Sequence, residues 1–200
     1  MKLMVLAFLA FLSMPQATSP QSTAKDREAS VAYLEQTRDR FLKSIDGLSD
    51  AQWTFKAAPD RWSVAEVAEH IAVSESTLLQ LIAEKVMKAP KPATAPRTLG
   101  DQQIIDGITD RTQKAQAPEM LRPANRWATR DALTKDFLAA RQKTIDFAKT
   151  TDDLRGHFAD FPAFKADLDG HQWVLFLAGH SARHTAQIDE VKASAGYPAR

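Results

Sequence analysis

His180 and His184, in the run His180-Ser181-Ala182-Arg183-His184, are the two residues of this chain best spaced for chemistry. On a helix that spacing puts both imidazoles on one face, a turn apart. At that separation they can share one metal ion. The stripe around them, Trp173, Leu177, His180, Ser181, His184, Ile188 and Val191, repeats at the helical period, so the pair lies on or beside a buried face. Two ligands rarely complete a site. The third candidate is His70, which sits in an apolar stripe of its own: Val64, Val67, Ile71, Ser74, Leu78 and Ile82.

Three neutral imidazoles suit a borderline divalent cation, with Zn or Ni first and Fe or Mn after them. Three protein ligands leave a position open for water or substrate, as catalytic sites do and structural ones do not. The spacing by itself is also met in histidines that merely pack in a core. The independent apolar face under His70 is what favours a metal. A zincin protease is disfavoured, because Ser181 stands where H-E-x-x-H carries its glutamate. Gln187 and Glu66 are candidates to orient an imidazole N–H. Glu66 also completes a capping box with Ser63, so Gln187 ranks higher. Arg183 reads as a rim or salt-bridge residue, and His157 and His171 as exposed or helix-capping.

These side chains need long helices to hold them. A first helix begins after about Thr23 and ends at Gly47, which fits the left-handed position that closes many helices. A second starts at the capping box Ser63-Val64-Ala65-Glu66, with Trp62 and Val67 placed for a hydrophobic staple. It should run to about Lys88, ahead of Pro90, Pro92 and Pro96. A third follows Thr129, and a fourth runs from Asp169 or Gly170 to Gly196. Between them, residues 89–128 read as a plain long crossover with one helical piece over 99–116, and 151–169 as a second connector. No segment alternates convincingly at period two, so strands are not expected. The pattern predicts an all-α four-helix bundle with long crossover connections, an architecture that builds metal sites from facing helices.

Composition narrows the function. The 200 residues are one domain's worth, 44% hydrophobic and 26% charged. A net charge of +1 with no basic run gives no footprint for nucleic acid. There is no cysteine, which excludes disulfides, thiolate ligands and a cysteine nucleophile. Neither G-x-G-x-x-G nor a P-loop occurs. One positive charge and an apolar run over residues 2–12, then Pro15 and small polar residues, read as a bacterial signal peptide spanning 1–24. That run is too short to span a membrane, which takes about 20 residues. The expected mature domain, 25–200, is periplasmic or secreted, keeps no stable membrane anchor, and acts on a small molecule; a homodimer is the assembly to test.

Three blocks carry a family resemblance. They are Leu48-Ser49-Asp50-Ala51-Gln52-Trp53, then Trp62-Ser63-Val64-Ala65-Glu66-Val67-Ala68-Glu69-His70, and Asp169-Gly170-His171-Gln172-Trp173 continuing through His180-Ser181-Ala182-Arg183-His184-Thr185-Ala186-Gln187-Ile188. Together they make a chain that resembles the DinB-like superfamily of four-helix-bundle metalloenzymes over residues 25–197. The resemblance implies a divalent metal on His70, His180 and His184. The family includes transferases and isomerases that use low-molecular-weight thiols in the cytoplasm. An exported chain meets few such thiols, so metal-assisted hydrolysis stands at least level with thiol transfer. The alternative is a non-catalytic metal- or ligand-binding bundle of the cell envelope.

Overall fold

A computed structural model describes residues 22–94, 96, 99–114 and 116–199. The expected signal peptide falls almost wholly outside the described residues. Four long helices form the bundle: α1 (Ala24–Ile45), α3 (Val64–Leu81), α5 (Arg130–Thr150) and α6 (Gly170–Lys192). Two short ones join them, α2 (Asp50–Thr54) and α4 (Asp101–Thr109). The starts follow from side-chain chemistry. Thr23, Ser49, Ser63 and Asp169 each accept from the amide three residues on, and the residue there returns the bond. Thr129 caps α5 by accepting from the Ala132 amide. Gly47 (φ 62°) and Gly196 (φ 80°) take left-handed turns that the chain needs just past α1 and α6.

The packing order is not the chain order. α1 packs on α5 and α6, and α3 packs on the same two helices. α1 and α3 therefore sit on one diagonal, α5 and α6 on the other. Two apolar clusters fill the interior. One joins Phe41, Val67, Ile71, Phe137 and Ile188 near the start of α3. The other joins Leu34, Ile82, Ile145, Val174 and Leu177 near its end. Between them lies a polar layer. The Arg141 guanidinium donates to both Glu75 carboxylate oxygens (2.9 and 2.7 Å), to Ser181 Oγ (2.7 Å), to Thr37 Oγ1 and to the Leu34 carbonyl. All four bundle helices meet on this one side chain, which is fully buried.

Several boundaries differ from the sequence reading. The second connector is not free of strands. Phe158–Phe161 (β1) and Ala166–Asp169 (β2) form an antiparallel hairpin with Phe158 opposite Asp169. Each strand has only four residues, too few for period two to stand out. The second helix ends in a π-helical turn, Ile82–Val86, short of Lys88. α4 is shorter than 99–116, because Asp110 turns its carboxylate onto the Thr112 amide and hydroxyl and breaks the helix. α6 ends at Lys192, ahead of Gly196.

α4 crosses α6 at a glycine. A Cβ on Gly179, one residue before His180, would lie 2.4 Å from Ile108 Cγ2. Gly179→Ala should therefore cost about 1–3 kcal/mol in urea unfolding, the usual cost of overpacking. Ile108→Ala in the same chain should recover part of that loss. A Gly179→Ala protein as stable as the parent would show that the crossover does not bear on α6.

Candidate metal centre

His70 comes from the second turn of α3, and His180 and His184 from the middle of α6. The His70 Nε2 atom lies 3.1 Å from His184 Nε2 and 3.3 Å from His180 Nε2. His70 is buried, and the other two are partly exposed, so the cluster opens on the α6 side. Trp62 lies against His70, ring centroids 5.1 Å apart, and Phe176 lies 6.2 Å from His180. Trp62 is also the residue before the α3 cap, packed with Val67 in the same apolar cluster. The staple that fixes the start of α3 thus supplies a wall of the site.

The protons on these rings are assigned by their partners. A carbonyl can only accept, so His70 donates from Nδ1 to the Leu121 carbonyl at 2.8 Å. His184 donates from Nδ1 to Gln187 Oε1, also at 2.8 Å. Burial pushes the His70 pKa below its ordinary value. It pushes His180 well below, helped by the neighbouring His184, His70 and Arg183. Burial, then the charge of His70, brings His184 down to about 3. Near pH 7 the rings are neutral, and a neutral ring carries one proton. With that proton on Nδ1, His70 and His184 each turn an unprotonated Nε2 on the other. Lone pairs facing at this distance repel unless a cation lies between them. The donor set therefore fits a borderline divalent ion. No carboxylate belongs to the cluster among the described residues.

The other candidates are accounted for separately. Glu66 accepts from the Ser63 amide and pairs with Lys56, away from the imidazoles. Arg183 turns outward and donates to the carbonyls of Ile108, Asp110 and Gln113 in the crossover. His157 meets the Ala89 carbonyl at 2.9 Å. His171 is not exposed; it is 1% accessible and contacts Ser30 Oγ and Asp101. The same cluster holds Arg155, paired with Asp26, Asp101 and Asp169, which ties α1, α4 and α6 together. Burial there follows from partners contributed by distant parts of the chain, which a local reading of His171 does not include.

Sequence reasoning missed Leu121 and Glu69. The crossover is not a plain connector, since its Leu121 carbonyl fixes the His70 ring. A backbone acceptor leaves no side-chain signature. Glu69 stands beside His70 in the sequence, but its loop partners lie 55 to 57 residues away.

Comparison with known proteins gives the same picture of the fold. YuaE of Bacillus subtilis (strain 168) is 27% identical over 163 residues, covering 81% of this chain and 96% of that protein. YfiT from Bacillus subtilis superposes with a TM-score of 0.57 at 14% identity, covering 88% of this chain and 91% of its own. That protein is described as "a probable metal-dependent hydrolase with an unusual four-helix bundle topology". Residues 33–188 match the DinB superfamily, and the chain belongs to it.

Proposed function

We propose that this protein is a divalent-metal-dependent hydrolase of small molecules, with His70, His180 and His184 as the metal ligands. The observation that carries the reading is the approach of His70 Nε2 to His184 Nε2 at 3.1 Å while the Nδ1 of each ring faces an acceptor, the Leu121 carbonyl or Gln187 Oε1. Zn or Ni suits this all-imidazole set best, with Fe or Mn after them. When bound, such an ion supplies Lewis acidity, which acidifies water and polarises a substrate oxygen. The chain's own residues do the rest. The Leu121 carbonyl and Gln187 hold protons at Nδ1 and leave Nε2 free to bind. Burial keeps the rings neutral, so no proton competes for the donor atoms near pH 7. Trp62 and Phe176 wall the cluster. The YfiT description supports hydrolysis over thiol transfer.

The test is metal analysis of untagged protein, then panels of ester, amide and thiol-transfer substrates with and without the metal. Near one equivalent of divalent metal and metal-dependent hydrolysis are expected. No bound metal would overturn the reading. Bound metal with no turnover on any panel would leave the binding-protein alternative instead.

We also place the mature chain outside the cytoplasm. Ser22 accepts from the Arg155 amide and Thr23 caps α1, so the fold uses both. A cut after residue 24, the bound read from the sequence, would remove both contacts, so we expect leader removal ahead of Ser22 instead. Intact mass from the native host should show a start before Ser22 and beyond Leu12. A cytosolic species that retains Met1 to Leu12 would refute export.

A further inference from the structure

We infer that Glu69 is a positioning residue for the metal centre, acting through the crossover loop on the His70 ring. The inference rests on the three-histidine reading above. Glu69 lies on α3 immediately before His70, but its side chain turns away from the imidazoles. Its carboxylate sits in a cradle of consecutive backbone amides. It accepts from Ala124 N (2.7 Å), Asn125 N (3.0 Å) and Arg126 N (3.3 Å). Such a concavity of amides is an anion-binding nest, one form of which is built around a left-handed residue. Asn125 supplies that, with φ at 58°. Asparagine tolerates this conformation better than most side chains.

The loop is closed on itself as well. Arg126 Nη1 donates to Glu69 (2.8 Å) and to the Arg122 carbonyl (2.8 Å), and Nη2 donates to the Met120 carbonyl (3.2 Å). Leu121 stands between those two carbonyls. Its own carbonyl is the one that accepts from His70 Nδ1. The path is short and made of named atoms: Glu69 carboxylate, loop amides, Arg126, the 120–122 backbone, Leu121 carbonyl, His70 ring. Two neighbouring residues of α3 thus grip opposite ends of one loop, and the grip by Glu69 fixes what His70 meets.

The charge of Glu69 is also well used. Its side chain is only 7% exposed. Removing it leaves three amides without their acceptor and the Arg126 guanidinium with only the Arg122 and Met120 carbonyls. The loop then loses its anchor on α3, and with it the hold that sets the Leu121 carbonyl against His70. His70 would lose the partner that keeps its proton on Nδ1. Outer partners of this kind typically change metal affinity by about 10–100-fold.

The experiment uses untagged protein and two readouts. The first is long-range proton–nitrogen NMR of the metal-free protein, which reports the His70 tautomer without any metal. The second is Zn(II) affinity by competition with a chromophoric chelator. The parent should show His70 protonated at Nδ1. Glu69→Ala should lose that fixed tautomer and bind Zn(II) about 10–100-fold more weakly. Glu69→Gln keeps one acceptor oxygen and should fall between them. Arg126→Ala leaves the amide nest filled and should also be intermediate, which keeps the test alive if Glu69→Ala does not fold. Thr23→Ala, which removes a cap at the far end of the bundle, should lower the melting temperature without moving either readout. An unchanged tautomer and unchanged Zn(II) affinity in Glu69→Ala and Glu69→Gln would overturn the inference. So would weaker Zn(II) binding with the His70 tautomer unchanged in both variants, because the effect would then not run through the His70 ring. A parent that binds no Zn(II) would overturn the metal reading, while the tautomer still decides the role of Glu69.

Discussion

Replacing His70, His180 or His184 by alanine should each reduce divalent-metal affinity by more than about 100-fold, beyond what outer partners usually contribute. The three are expected to act as one unit. Helix geometry fixes the pair on α6, and His70 reaches it from α3 with Nε2 atoms 3.1 and 3.3 Å apart. Removing His70 leaves two ligands with no partner on the facing helix. Removing His180 or His184 breaks the i, i+4 pair itself. His157→Ala should keep full affinity, since that ring meets the Ala89 carbonyl. His171→Ala should also keep it, although the loss of contacts to Ser30 and Asp101 should make the protein easier to unfold. Calorimetric titration of untagged variants decides this. Parent-like affinity in His70→Ala would remove α3 from the site.

The second large effect belongs to stability. Arg141→Ala should cost about 3–5 kcal/mol, because it leaves the Glu75 carboxylate buried without its cation. Both side chains are 0% exposed. Glu75 would retain only the Thr144 hydroxyl, at 2.6 Å, among the partners that now satisfy it. For a domain of this size each kcal/mol moves the melting temperature by about 2–4 °C. The double variant Arg141→Met with Glu75→Met should be much less harmful than either loss alone, since well-packed apolar groups often replace a buried pair without cost. Urea unfolding of the two singles and the double gives the coupling directly. A single Arg141→Ala loss below about 1 kcal/mol, the range of exposed pairs, would contradict the structure.

Long helices were readable because their signals are local. Ser63 and Glu66, or Asp169 and Gln172, announce a helix start within four residues. The meeting of His70 with the α6 pair was readable because each lies in an apolar stripe that must turn inward. What could not be read are contacts made between distant backbones. The Leu121 carbonyl, the amides at 124–126 and the four-way junction at Arg141 each depend on how the crossover and helices are arranged. A lone Arg141 within the third helix looks like surface until its partners on α1, α3 and α6 are known. The β-hairpin escaped for a different reason: strands of four residues carry too little pattern.

The diagonal arrangement of the helices also governs how the chain must fold. In an up-and-down bundle, consecutive helices zip into hairpins, and mostly local contacts make folding fast. Here the two helices joined first, α1 and α3, face each other across the bundle and rest on α5 and α6 instead. Neither half of the chain can bury its apolar faces alone. His70 must wait for a partner 114 residues downstream, on the fourth long helix of the bundle. Loop-closure entropy is spent before these distant contacts reward it, so assembly should be slower than helix content alone suggests. A chain that stays open until its fourth long helix arrives also keeps its apolar faces exposed for longer than an up-and-down bundle does.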